Sequence, residues 1–266
     1  MKPTNREMRT LNGLRKFIAT LRGPDGCPWD GVQTHQSLRP YLLEEASETL
    51  EAIDSGDPAL LCEELGDLLL EVVLHVQIAE ENGEFGLADV VNGVTEKLVR
   101  RHPHVFGHAT AEPARPGTPA AVVEQWEELK REERSGQPAL TGIPVTLPSL
   151  AYAQAMQRRV ARAGFTWERV EQAWDALEEE IVELREAETS EERREEVGDA
   201  LFALASLARW LEVDAEEALR STCRGFQDLF QRVEAMLREQ GRELTEMTME
   251  DKLALWEEAK GAPRRQ

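Results

Sequence analysis

The sequence predicts an all-α protein built as two tandem copies of one helical bundle. Three observations predict it. Charged residues make up 31% and hydrophobic ones 41%, while aromatics are only 6%, a balance that favours helices over sheets. Apolar residues recur at helical spacing, and no stretch alternates like a strand. A pair of acidic blocks also occurs twice, at nearly constant offset.

In the first copy, Leu43, Ala46, Leu50 and Ile53 fall on one face of a helix, and Leu61, Leu65, Leu68, Leu69, Val72 and Val76 form a stripe on the next. Ser55-Gly56-Asp57-Pro58 separates the two. In the second copy Ile181 and Leu184, then Val197, Leu201, Leu204 and Leu207, repeat the pattern across the polar turn at Thr189-Ser190. Antiparallel helix pairs assembled into bundles follow.

Glu63-Glu64-Leu65-Gly66-Asp67 returns as Glu195-Glu196-Val197-Gly198-Asp199, 132 residues on, and Glu44-Glu45-Ala46-Ser47-Glu48 returns as Glu179-Glu180-Ile181-Val182-Glu183, 135 residues on. Cys27-Pro28-Trp29 finds an echo in Phe165-Thr166-Trp167, and Trp126 to Lys130 one in Trp256 to Lys260. Between the copies, 135–148 is rich in Pro and Gly and suits a linker. The expected domains are 1–134 and 149–266. Pro113, Pro116 and Pro119 mark a loop inside the first.

A formal net charge of -20 repels nucleic acid polymers and anionic membranes. A small polyanion still binds if divalent cations and a local basic cluster reverse the field. Three widely spaced cysteines suit a reducing cytoplasm, and no run reaches the roughly 18 apolar residues of a membrane span. A cytoplasmic protein is expected.

Glu45 and Glu48 are three apart on one helix, and Glu64 and Asp67 three apart on the next, so each pair projects from one side of its helix. Antiparallel packing would converge four carboxylates, an all-oxygen set that suits Mg2+, with Mn2+ as a substitute. Glu180, Glu183, Glu196 and Asp199 would build a second set. A lone Glu-x-x-Glu is most often a solvated face. Here two helices carry the pairs, a Gly sits between ligand positions, and the arrangement occurs twice. A di-iron bundle needs Glu-x-x-His on two helices, whereas Glu71 and His75 stand four apart without a second copy. His102 and His104 flank Pro103 and more plausibly end a helix than bind metal.

Lys97, Arg100 and Arg101 lie at i, i+3 and i+4, placed to grip phosphates. Surface balance in so acidic a chain explains them equally well. Lys130, with Trp126 before it, is a further substrate-binding candidate, and Trp126 reads equally well as core.

These motifs, with Cys27-Pro28-Trp29-Asp30, Gln33-Thr34-His35 and the run from Lys97 to Gly107, resemble the MazG nucleoside triphosphate pyrophosphohydrolases of tandem-domain kind, over nearly the whole chain. The resemblance implies an all-α fold, Mg2+ dependence, a homo-oligomer, with a homodimer as the default, and hydrolysis of NTPs and dNTPs to monophosphate and pyrophosphate with broad base tolerance. A housekeeping role in the nucleotide pool is implied as well. The second repeat departs from the family's Asn-x-Lys-Phe-x-Arg-Arg-Phe pattern, reading Cys223-Arg224-Gly225-Phe226-Gln227-Asp228-Leu229-Phe230. Arg209, Arg220, Arg224 and Lys260 would have to compensate, with Trp256 beside them, so the first repeat is expected to carry more of the turnover.

The implied reaction has water attack the α-phosphorus in line. Glu44 or one of the four ligands accepts its proton, and Lys97, Arg100 and Arg101 stabilise the leaving pyrophosphate. The rivals are a catalytically idle nucleotide-binding or helical interaction module, and a dUTP-specific relative.

Overall fold

A computed structural model describes residues 9–106, 117–133 and 136–261; the side chains of 120, 124, 127, 128 and 130–132 fall outside that description, and with them the side chain of Lys130. The Pro-rich stretch also lies outside it through residue 116. Among the described residues all regular structure is helical. The chain divides into two compact units, Met1–Arg134 and Ser135–Gln266.

In the first unit, α1 (Leu11–Arg22), the short α2 (Pro28–Gly31), α3 (Arg39–Ser55) and α4 (Pro58–Asn82) form the packed part; α5 (Leu87–Arg101), α6 (Pro103–Phe106) and α7 (Pro119–Glu133) follow. The α3–α4 turn forms because Gly56 takes φ +69 at the end of α3, a left-handed conformation that costs glycine little. Asp57 then accepts the Ala59 N–H at 2.8 Å and starts α4. Ile18, Leu38, Val73, Leu74 and Ile78 make the core where α1 covers the second half of α4.

The helix faces turn differently from the apolar stripes. On α3 it is Thr49 and Ala52 that are buried, while Leu43, Leu50 and Ile53 are exposed; on α4, Leu65, Leu69 and Val72 are exposed too. Thr49 donates to the Glu64 carbonyl at 3.4 Å. The seam between α3 and α4 is therefore the face that carries Glu45, Thr49 and Ala52, and small side chains there let the helices approach. Periodicity located the apolar stripes correctly but not what covers them.

The second unit consists of α8 (Ser149–Arg162), α9 (Val170–Glu186), α10 (Ser190–Trp210), α11 (Ala215–Gln240) and α12 (Met249–Gly261). Thr189 and Glu192 cap α10 reciprocally, Thr189 Oγ1 accepting from the Glu192 N–H at 3.1 Å and Glu192 Oε2 from the Thr189 N–H at 2.9 Å. Ala173, Leu177 and Leu207 form the α9–α10 core. A separate cluster of Leu229, Val233, Leu237, Met247, Leu255 and Ala259 joins α11 to α12. Residues of the linker stretch belong to this unit: Arg159 donates to the Ala139 carbonyl at 3.2 Å and to the Thr141 carbonyl at 2.7 Å.

Candidate active sites: two carboxylate clusters and one cleft

The α3–α4 seam brings acids from both helices together. One oxygen each from Glu45, Glu48 and Glu64 lie within 4.8 Å of one another. Asp67 stands outside that tight trio but is close enough for its charge to act on Glu45 and Glu64. Loss of solvent raises both of those carboxyls above the ordinary range, and the like charges of Glu48 and Asp67 raise them further. The α9–α10 seam repeats the arrangement with Glu180, Glu183 and Glu196. Glu180 and Glu196 are raised by desolvation first, then by each other's neighbours Glu183 and Asp199.

Among the described residues, the charges that raise Glu45, Glu64, Glu180 and Glu196 are all those of neighbouring acids. Glu196 Oε2 is moreover buried with no hydrogen-bond partner among the described residues. Clustered hard oxygen donors with unrelieved repulsion fit a divalent cation of the Mg2+ class. Glu44, exposed on α3, adds only its charge to Glu45.

The basic residues of the first unit sit otherwise than expected. Arg100 and Arg101 both pair with Glu133 of α7, at 2.8 and 2.6 Å, and these hydrogen bonds hold the Glu133 carboxyl down to about 2. Lys97 is exposed on α5. Trp126 of α7 lies edge-on to His102, ring centroids 4.8 Å apart. His102 alone separates α5 from α6, which begins at Pro103, and His104 Nδ1 lies 3.2 Å from Gln125 Oε1.

In the second unit, a cleft of about 490 Å³ opens beside the acids, with Glu180 and Asp199 at one side and Phe165, Trp167 and Phe202 among its apolar walls. Phe165 is 82% exposed. Arg209 also lines it, donating to Thr166 Oγ1 at 3.1 Å; burial, then the charge of Arg158, lowers its pKa. The other cations and the tryptophan expected here lie elsewhere. Trp256 packs against the α11–α12 core and Phe226, Lys260 pairs with Glu257 at 2.7 Å, and Arg224 belongs to α11 without lining the cleft.

Several residues have a place in the structure that their sequence spacing did not signal. Glu71, 6% exposed, continues the Glu64–Asp67 face by one turn, has a buried Oε2 with no hydrogen-bond partner among the described residues, and is raised by burial and then by Glu45. His75, one turn further, meets His35 with Nδ1 atoms 2.7 Å apart and rings stacked, which requires one imidazole to donate and the other to accept. The second copy has Ala203 and Leu207 at the equivalent offset, so this row belongs to the first unit alone. Phe165 and Trp167 were visible as an echo of Cys27-Pro28-Trp29, yet nothing in their spacing marked a cleft.

Comparison with known proteins agrees with this layout. The model of the MazG nucleotide pyrophosphohydrolase domain matches residues 33–106, the stretch that carries the first carboxylate cluster. Over 250 residues the chain is 42% identical to the nucleoside triphosphate pyrophosphohydrolase/pyrophosphatase MazG of Thermotoga maritima, covering 93% of this chain and 94% of that one. It is 38% identical over 262 residues to the nucleoside triphosphate pyrophosphohydrolase of Escherichia coli (strain K12), covering 95% and 98%. An all-helical fold, acids paired across helix seams and full-length similarity at this level place the chain in the MazG family of nucleoside triphosphate pyrophosphohydrolases.

Proposed function

We propose that this chain hydrolyses nucleoside triphosphates and their deoxy counterparts to monophosphate and pyrophosphate, dependent on Mg2+ or Mn2+, with broad base tolerance, as cytoplasmic nucleotide-pool housekeeping. The observation that carries the reading is the cleft whose aromatic walls meet Glu180 and Asp199. Stacking surfaces beside cation-binding acids are what a nucleoside polyphosphate needs, since its base is flat and apolar and its phosphates are anionic.

Glu45, Glu48, Glu64 and Asp67 would hold the cation in the first unit, and Glu180, Glu183, Glu196 and Asp199 in the second. A bound Mg2+ supplies charge neutralisation of the phosphates and activation of water. The protein's own part is orientation and proton transfer. The aromatic walls seat the base, Arg209 meets a phosphate or sugar oxygen in the cleft, and a carboxylate of the cluster takes the proton of the attacking water.

The basic segment of the first unit favours that repeat, whereas the cleft gives the second unit a seat for the nucleoside. Product analysis on the full chain with Glu48→Ala or Glu183→Ala apportions the turnover. Monophosphate and pyrophosphate, reduced by either variant, support the reading. Tight NTP binding without product would establish the idle module instead, and consumption of dUTP alone the specific relative.

A homodimer is part of the same proposal. The Leu stripes of α3 and α4, with Val197, Leu201 and Leu204 of α10, are exposed in the single chain, and a second copy covers such faces. Among the described residues no helix is long and apolar enough to cross a membrane.

A further inference from the structure

Two glutamines one turn apart on α8 behave differently. Gln154 is fully buried and fully used: its amide group donates to the carbonyls of Ala205 and Val213, and its Oε1 accepts the Ala215 N–H. It ties α8 to α10 and to the start of α11. Gln157 is 5% exposed and lines the cleft. Its amide nitrogen donates to the Phe202 carbonyl at 2.8 Å, and this fixes which way the amide faces, since the reversed amide would set two oxygens against each other. Oε1 is thereby left buried, with no partner among the described residues.

A buried acceptor without a donor is unfavourable, and native proteins keep few of them. In a cleft that takes a ligand, such an acceptor is a selectivity element: a ligand that brings a donor relieves it, and one that does not leaves it stranded. We propose that Gln157 is a specificity-determining residue of the second unit, its Oε1 accepting a hydrogen bond from a donor on the nucleoside, either an N–H of the base edge or a sugar hydroxyl. The inference rests on the reading of this cleft as the nucleoside's seat. Phe165 and Trp167 supply sequence-tolerant stacking there, and Gln157 supplies the directional contact that stacking lacks.

The test uses the full chain carrying Glu48→Ala, so that turnover comes from the second unit. Its substrates are ATP, purine riboside triphosphate, which lacks the base donor, and 2′,3′-dideoxy-ATP, which lacks the sugar donors. One analogue is expected to be used roughly 5- to 150-fold less efficiently than ATP, the range of a lost hydrogen bond to a buried partner, and which analogue it is names the donor. Gln157→Met lowers ATP to the level of that analogue and leaves the analogue unchanged. Gln157→Glu, whose protonated carboxyl still donates to Phe202 and accepts from the ligand, retains the preference and keeps the test open should the Met variant fail to fold. Equal use of all three nucleotides by the Gln157 protein, or an equal loss on all three in Gln157→Met, overturns the inference while leaving the hydrolase reading intact. Absence of pyrophosphate from ATP in the Glu48→Ala chain overturns both the second unit's activity and the inference.

Discussion

The carboxylate clusters make the chain's thermal stability depend on Mg2+ and on pH in a way that can be worked out beforehand. In each seam three acids bring oxygens within 4.8 Å of one another, and their mutual repulsion adds to desolvation in raising Glu45 and Glu180. A ligand that binds only the folded state at about 100 times its Kd stabilises by about 2.7 kcal/mol per site. The first unit spans Met1–Arg134, and at about 2.1 cal/mol/K per residue its unfolding entropy is about 0.28 kcal/mol/K, so one occupied site raises Tm by on the order of 10 °C. The pH dependence has a definite sign. A folded-state carboxyl raised above its ordinary 4.5, as Glu45 and Glu180 are, holds protons that the unfolded chain has already released. Stability of the metal-free protein from these groups therefore declines as pH climbs from 4.5 through the raised value. Cation stabilisation runs the other way: it is fullest where the acids are ionised and fades on acidification as protons take the sites. Differential scanning calorimetry with Mg2+ or with chelator, from pH 5 to 8, reads both effects. The double variant Glu45→Gln, Glu180→Gln should melt higher than wild type in chelator, because repulsion is relieved, and should gain little from Mg2+. An equal Mg2+ gain in wild type and variant, or a gain that grows towards acid pH, would refute the assignment of these acids to the cation.

Two further outcomes follow from other parts of the fold. Leu207→Ala removes a side chain only 2% exposed from the α9–α10 core and should destabilise the second unit by about 2–5 kcal/mol, read as a lower guanidinium midpoint with Mg2+ absent. Glu133→Gln, made with Glu183→Ala so that the first unit is assayed, frees Arg100 and Arg101 from their carboxylate partner. If those arginines serve phosphate, KM for ATP should fall by up to about fivefold, the range of an exposed ion pair; an unchanged KM would remove them from the binding machinery.

Much of the fold was legible because it is local. Helical periodicity, Gly56 at the α3–α4 turn and Thr189 before α10 each act within a few residues, and the repeated acid pairs announced both clusters. The orientation of the stripes was not legible. A wheel places Leu43 and Leu50 on one face of α3 and Glu45 on another, but which face meets α4 depends on small Thr49 and Ala52 and on what the exposed stripe finds outside the single unit. The tie of Arg100 and Arg101 to Glu133 spans more than 30 residues, and the Gln157–Phe202 contact spans 45; neither leaves a local pattern. Glu71 and His75 were noticed only as an incomplete metal motif, since the row from buried Glu71 through His75 to half-buried His35 exists only once the loop before α3 folds over α4.

The most direct test of the account is hydrolysis of ATP in H2(18)O with Mg2+, with products resolved by 31P NMR and mass spectrometry, for wild type and for the Glu48→Ala, Glu183→Ala double variant. Attack at the α-phosphorus predicts one labelled oxygen in AMP, unlabelled pyrophosphate, and loss of both products in the double variant. Label in pyrophosphate, release of orthophosphate, or undiminished turnover without Glu48 and Glu183 would contradict it.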